Sequence, residues 1–332
     1  MQRLMGMNRS TRKVAARIKN LLFNNRSKVN LLEAEIKVWK TRFREPGHYY
    51  SPFPNLKDID LRKGDIFGKD YQKSLGGIDF QDQEQFLLLG EFSKYYDPDF
   101  FPKEKNSNFR FYYNNQYFCY SDAIFLGAMM RHLRPKRIIE IGSGFSSALM
   151  LDINERFLDR RVHLTFIEPY PEDRLEDLVR SSDSCMIIKD FIQNLQLSIF
   201  EELEENDILF VDSSHVSKTF SDVNHILFNI LPILKKGVVI HFHDIFFPFE
   251  YPLEWVHQQR GWNEAYLIRA FLQYNSSFKI ELFTSYLETK YRNWFLENMP
   301  ACLTPHEEWP KDDGTSYYLD TGGQSLYLRK HA

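Results

Sequence analysis

From residue 137 onward, short apolar runs alternate with stretches in which apolar residues recur every three or four positions. The runs "RIIEIG", "VHLTFIE", "CMIIKD", "DILFVD" and "GVVIHFHD" predict five strands. Between and after them, "FSSALMLDINERF", "YPEDRLEDLVR", "FSDVNHILFNILPIL" and "NEAYLIRAFLQYN" predict helices, "FKIELFTSY" a further strand, and "SLYLRK" a final one. Upstream, "SDAIFLGAMMRHLRP" predicts a helix with Ser121 as its N-cap and Pro135 as its stop. "VNLLEAEIKVWKTRF" predicts an amphipathic helix with Leu32, Ile36, Trp39 and Phe43 at helical spacing. "GHYYSPFPNL" breaks that helix, because Pro52 and Pro54 deny regular structure on either side.

Apolar strands alternating with helices specify an α/β fold with a parallel sheet covered on both faces. Ligands of such sheets bind outside the carboxyl ends of the strands, at the switch point. Glu168, Asp190, Asp212 and Asp244 end four of the first five strands, and Glu140 lies inside the first. A rim carrying several carboxylates is therefore expected.

Composition narrows the class. A net charge of −3 gives no global case for nucleic acid or an anionic membrane. Cys119, Cys185 and Cys302 are widely spaced and form neither a metal nor a disulfide pattern, which favours a reducing cytoplasm. No apolar run reaches the ~18 residues of a membrane-spanning helix. Residues 1–28 hold eight Lys or Arg and no acid. That segment reads as a solvated basic tail, a helix on a partner subunit, a targeting segment or a peripheral membrane contact. The division expected is a helical N-terminal region over 1–117 and a ligand-binding domain over 118–332, with a homo-oligomer suggested by the N-terminal helices.

The stretch "RIIEIGSGFSS" carries the candidate ligand chemistry. Gly142 and Gly144 allow a tight turn and close approach of a ligand. A dinucleotide fingerprint requires a third glycine three residues on, and position 147 is Ser. Glu168, at the end of the second strand, can accept both ribose hydroxyls of an adenosine. An acid at position 140 would repel a pyrophosphate and suits a ligand carrying an ammonium and a sulfonium, the charges of S-adenosylmethionine.

At this point the residues resemble a known family. "IIEIGSG" with Glu168, Asp190 and Asp212 is similar to the class I S-adenosylmethionine-dependent methyltransferases. "FVDSSHVSKTFSDV" and "LKKGVVIHFHD" resemble the branch that includes macrocin O-methyltransferase and cephalosporin-hydroxylase-like proteins. The resemblance covers roughly residues 118–286. It implies a Rossmann-like, doubly wound, mostly parallel seven-stranded sheet. It also implies that Glu140, Gly142 and Gly144, with Ser146 in the same loop, line the methionine end of the cofactor, Glu168 the ribose and Asp190 the adenine, with Asp212 on the same rim. In that branch the acids matching Asp212 and Asp244 are metal ligands, often with a second oxygen ligand beside the fifth-strand acid. Here the neighbours of Asp244 are His243 and Ile245.

Transfer of a methyl group to a hydroxyl requires positioning, exclusion of water and removal of a proton. The proton can go to a histidine or be made acidic by a divalent cation. His215 is the first candidate base and His243 the second. Asp212, Asp244 and His243 form the candidate metal set, for Mg²⁺ or Mn²⁺. His241 reads as a core histidine, and His225 and His257 as structural or surface residues. The aromatic loop "HDIFFPFEYPLEW" either shapes an acceptor pocket or forms a small satellite core, and "GHYYSPFP" is a candidate lid. The expected activity is O-methylation of a saccharide or natural-product-type small molecule. The alternatives are an NAD(P)-dependent oxidoreductase and a silent binding protein of the same fold.

Overall fold

The computed structural model describes residues 43–67, 75–118, 120–308, 317–319 and 322–332. The basic segment and the amphipathic helix expected over 29–43 lie outside the described residues, except for Phe43, and so does Cys119. The chain parts into two compact units, Met1–Lys63 and Gly64–Ala332. In the first, Tyr49 and Tyr50 are exposed, and Tyr49 stacks on His48 at 4.3 Å. Helix α1 (Leu56–Phe67) buries no residue. Among the described residues, no helix is long and apolar enough to cross a membrane.

The second unit holds one seven-stranded sheet. Its strands are β1 (Arg137–Ile141), β2 (His163–Ile167), β3 (Cys185–Ile188), β4 (Ile208–Val211), β5 (Val239–Phe242), β6 (Phe278–Phe283) and β7 (Leu326–Lys330). They lie in the order β3-β2-β1-β4-β5-β7-β6. The first five are mutually parallel, and β7 is inserted antiparallel between β5 and β6. Every residue of β4 and β5 is buried, as continuous apolar strands covered on both faces should be. The sheet reverses direction of growth at β1, which has β2 on one side and β4 on the other. The crevice that forms there is where such folds take their ligands.

The expected division after residue 117 does not match where the compact units part. Helix α2 (Asp82–Phe92) buries Gln85, Leu89 and Phe92, and the aromatic connector over residues 100–118 buries Phe101, Phe111 and Tyr113 in the same core as the sheet. The connector is therefore part of the sheet-containing unit. Helix α4 (Phe145–Phe157) explains why. Its residues 146–154 are all buried, so a helix that would face water on one side is covered on both. Arg110 is the clamp. Its Nη1 donates to Asp152 at 2.6 Å and to Glu155 at 2.7 Å, and its Nε donates to Asp183 at 2.9 Å. The backbone N–H groups of Arg110 and Phe111 both donate to Asp152 Oδ2. Burial opposes the guanidinium charge, and the bonds to Asp183, Glu155 and Asp152 outweigh it.

Four expected elements come out differently. Helix α3 (Tyr120–Leu133) contains Ser121 as a buried residue whose hydroxyl donates to Glu288, so Ser121 is not its cap. "YPEDRLEDLVR" is a 3₁₀ turn, Pro171–Asp173, and one helical turn, Leu175–Leu178, separated by Arg174 at φ −156°. The segment after β4 is helical over Asp222–His225, widens to π geometry over Ile226–Ile230 and closes at Leu231–Ile233. Pro232 has no N–H to give, so the regular ladder is not continued through it. β6 ends at Phe283, and the residues expected to extend it begin a helix, Thr284–Lys290.

Removing the Arg110 charge leaves Asp152 and Asp183 buried without their cation. Arg110→Met is expected to lower the unfolding free energy, measured in urea, by about 3–5 kcal/mol.

Candidate functional site

Gly142 ends β1 at φ +77°, and a Cβ at that position would stand 2.0 Å from the Asp212 carbonyl oxygen. No side chain fits there. The amide of Gly142 donates to Ile167 and the amide of Asp212 to Ile141, so the ends of β2, β1 and β4 are laced together. Beyond the turn, Ser143 N–H donates to Glu168 Oε2 at 3.1 Å, and Tyr170 N–H to Glu168 Oε1 at 2.9 Å. Glu168 is half-buried at the rim. Asp190 Oδ1 accepts from Phe191 N–H and Asn194 Nδ2, both at 2.7 Å. The exposed rings of Tyr170 and Phe191 meet edge to face at 6.0 Å between these two acids.

Glu140 is placed otherwise than expected. It is fully buried behind the turn, and both its oxygens accept from hydroxyls, one from Ser146 and one from Ser147. Ser147 Oγ also accepts from Gly144 N–H at 3.0 Å. This carboxyl shapes the loop from within and presents no free oxygen to a ligand in this structure; Ser146 is turned inward with it.

The second half of the site lies where β4 and β5 end. His215 Nε2 stands 3.3 Å from Asp212 Oδ1 and 3.2 Å from Asp244 Oδ2, and its Nδ1 2.9 Å from Glu264 Oε2. Both His215 (φ +58°) and Asp244 (φ +59°) adopt the left-handed region, which costs a non-glycine residue energy and persists only where surroundings enforce it. For His215 the enforcement is visible: the amides of Asn263 and Glu264 both donate to its carbonyl. Glu264 opens helix α5 (Glu264–Leu272), is buried, and also accepts from Ser213 Oγ at 2.9 Å. Burial works against the His215 charge, but the bonds to Asp212, Asp244 and Glu264 hold its pKa well above the ordinary value.

The metal set expected with His243 is corrected. His243 Nε2 is 3.7 Å from Asp244 Oδ1, and its ring lies under the sheet end, 5.2 Å from the Phe118 ring and 5.7 Å from His241. The donors that converge are Asp212, His215 and Asp244, whose ligand atoms lie within 4.8 Å of one another. Side chains alternate along β5, so the His243 ring shares the buried face of His241, while Asp244 turns out at its positive φ. His241 is the core residue expected: it is buried, stacked on Phe210 at 3.8 Å, with Nε2 2.9 Å from Ser325 Oγ.

The loop after β5 forms packing. Phe246, Phe249, Tyr251 and Trp255 are buried, and Trp255 and Tyr251 contact Trp262, whose ring lies 4.4 Å from His215. These aromatics wedge the histidine and the start of α5 into place. Glu264 itself escaped the sequence reading. Its only local sign is an acid opening a helix in "NEAY", the commonest place for an acid on any helix.

One donor set therefore offers one imidazole nitrogen and two carboxylate oxygens. The ring is oriented through Nδ1 by a carboxylate, an arrangement found behind metal-binding and proton-accepting histidines alike. Such a set fits Mn²⁺, Fe²⁺ or Zn²⁺ as well as Mg²⁺. The glycine cradle at 142 and the acid at 168 fit an adenosine-bearing ligand lying across the β1–β4 switch.

Burial drives the Glu140 carboxyl up to about 8 from an ordinary 4.5, against the pull of the two serine hydroxyls. An acid raised in this way stays protonated in the folded chain and ionises on unfolding. Its contribution is whole below the lower value and is lost as pH rises toward the upper one. Glu140→Gln is accordingly expected to flatten the fall in unfolding free energy over that window; equal pH dependence in both proteins would exclude this assignment.

Residues 139–245 match the model of a methyltransferase domain. An uncharacterized protein of Archaeoglobus fulgidus is 37% identical over 179 residues, which are 52% of this chain and 81% of that protein. Among solved structures, a Podospora anserina methyltransferase bound to S-adenosylhomocysteine is 13% identical, over 82% of this chain and 96% of that one, with a TM-score of 0.37. The O-methyltransferase TomG of Streptomyces achromogenes, in complex with S-adenosylmethionine, is also 13% identical, over 83% and 96%, with a TM-score of 0.34. The domain match and the strand order above agree: residues 139–245 form a methyltransferase domain, and the chain belongs to the same family as the archaeal protein.

Proposed function

We propose that the protein methylates a hydroxyl oxygen of a small acceptor, a saccharide or natural-product-type molecule, beside a divalent cation held at Asp212 and Asp244. The observation that carries this reading is the convergence of Asp212, His215 and Asp244 on the rim that Gly142 shares with Asp212. S-adenosylmethionine supplies a methyl group already activated by its sulfonium. A divalent cation at the acids supplies Lewis acidity toward the acceptor hydroxyl.

The chain's own part is to bind, orient and manage a proton. Glu168 keeps lone pairs on both oxygens for the ribose hydroxyls, while its bonds to Ser143 and Tyr170 fix its rotamer. Asp190 and the Tyr170 and Phe191 rings flank the adenine end. His215 turns Nε2 toward the reacting space because Glu264 engages Nδ1, so proton transfer from the acceptor hydroxyl goes to Nε2. Without a cation the surrounding carboxylates keep Nε2 protonated; with their charge drawn away to a cation held at Asp212 and Asp244, Nε2 is free to take the acceptor's proton.

Three measurements test the reading. Calorimetric titration with S-adenosylhomocysteine is expected to give micromolar binding that Glu168→Ala weakens by about tenfold or more, two lost hydrogen bonds to a charged group being involved; no binding would overturn it. Asp244→Asn is expected to abolish cation-dependent turnover on hydroxyl acceptors and to weaken Mn²⁺ binding. His215→Gln should keep Mn²⁺ affinity and lose about 10²–10⁴ in kcat, the usual contribution of a general base. A loss of Mn²⁺ binding in that variant would make the ring a ligand and not the base.

A further inference from the structure

The buried placement of Glu140 leaves the glycine turn without the outward acid expected there, and a cation stands over it instead. Arg174 breaks from the 3₁₀ turn Pro171–Asp173 at φ −156°, and its side chain comes back across the turn. A Cβ on Gly144 would meet Arg174 Nη1 at 3.0 Å and Cδ at 3.1 Å. The guanidinium carbon lies 3.6 Å from the centre of the Tyr117 ring. Tyr117 is in turn nearly parallel to Phe145, the first residue of α4, at 11° and 6.0 Å. Three side chains thus form a stack over the loop.

The chemistry of that stack points to an anion. A guanidinium lying on an aromatic ring uses its face and keeps its edge N–H donors, which match a carboxylate in a two-pronged way. Among the described residues Arg174 has no carboxylate partner. Of the acids around the turn, Glu140 is engaged with Ser146 and Ser147, Glu168 with two backbone amides, and Glu172 with Lys189 at 2.7 Å, while Glu176 and Asp177 are exposed on the following helical turn and make no ion pair with Arg174. Charge and geometry at this end of the crevice therefore favour a negative group.

We propose that Arg174, held over the Tyr117 ring, binds the carboxylate of the amino-acid end of the cofactor and so discriminates the full cofactor from adenosine thioethers that lack it. This rests on the cofactor reading above. Arg174 touches the cofactor and not the acceptor, and its loss therefore acts on cofactor affinity selectively.

The test is calorimetric titration of the wild-type chain, Arg174→Gln, Arg174→Lys and Tyr117→Leu with two ligands. S-adenosylhomocysteine carries the carboxylate, whereas 5′-methylthioadenosine keeps the adenosine and sulfur without it. Arg174→Gln is expected to weaken S-adenosylhomocysteine by about 10- to 100-fold, the span of a charged hydrogen-bonded pair, and to leave methylthioadenosine within about twofold. Arg174→Lys, which keeps charge without the planar fork, and Tyr117→Leu, which frees the guanidinium, should fall between. Equal weakening of both ligands would mean that Arg174 merely shapes the turn, and unchanged binding of S-adenosylhomocysteine would also overturn the proposal. A wild-type chain that binds neither ligand overturns the cofactor reading itself, whereas one that binds both with equal affinity overturns only the role of Arg174. Should Arg174→Gln unfold, the Arg174→Lys and Tyr117→Leu ratios between the two ligands still decide.

Discussion

The structure depends on a contact that no side chain could survive. At the end of β1 the chain passes so close to the Asp212 carbonyl that only hydrogen fits on the α-carbon of residue 142. This closeness is what lets the amides of Gly142 and Asp212 tie three strand ends into one edge. It has a chemical result as well. A glycine turn suited to a cofactor and a carboxylate suited to a cation are brought to the two sides of a single peptide group. Positioning of two reactants within reach of each other is the larger part of what a group-transfer enzyme supplies.

Much of this was legible in the sequence because parallel strands covered on both faces must be continuous apolar runs, and β1, β2, β4 and β5 were each marked so; β3 carries the same run although Met186 and Ile187 are exposed at the sheet's edge. The acids that end them were visible for the same reason: a charge straight after a buried run has few places to go except the rim. What escaped was set by long-range contact. The π-widened segment near Pro232, the broken helix around Arg174 and the insertion of β7 beside β5 all depend on neighbours far away in the chain. The inclusion of the aromatic connector in the core is of the same kind, since Arg110 finds its partners on α4 and beside β3.

The site was legible in its residue types and less so in their roles. His215 ranked first and His243 second as candidate base, each lying close to an acid in the sequence. Backbone conformation separates them. Asp244 leaves the strand at positive φ and carries its carboxylate outward, while His243 keeps the strand's alternation and is retained inside. His215 lies in a loop whose own positive φ turns the ring back to meet the acids. Glu140 taught the same lesson: an acid beside a glycine turn looks like a ligand for a cation, yet two serines on the next helix draw it inward and burial takes its charge away. The polarity of the turn then belongs to Arg174, a residue whose position follows from a failed helix.

The place of β7 has a further consequence, for the order in which the molecule is built. β1, β2 and β3 pair as consecutive units, each joined to the next by a single crossover. The outer edge of β5 waits for a strand separated from it by about 90 residues, and the entropy of closing so long a loop sets that pairing behind the local ones. Until it forms, His241 faces no Tyr327 and Ile245 N–H has no Gln324 carbonyl to bond. The β1–β3 half of the sheet can thus assemble before the half that holds Asp244. A nascent chain would acquire its glycine turn first and the completed Asp212, His215 and Asp244 cluster last.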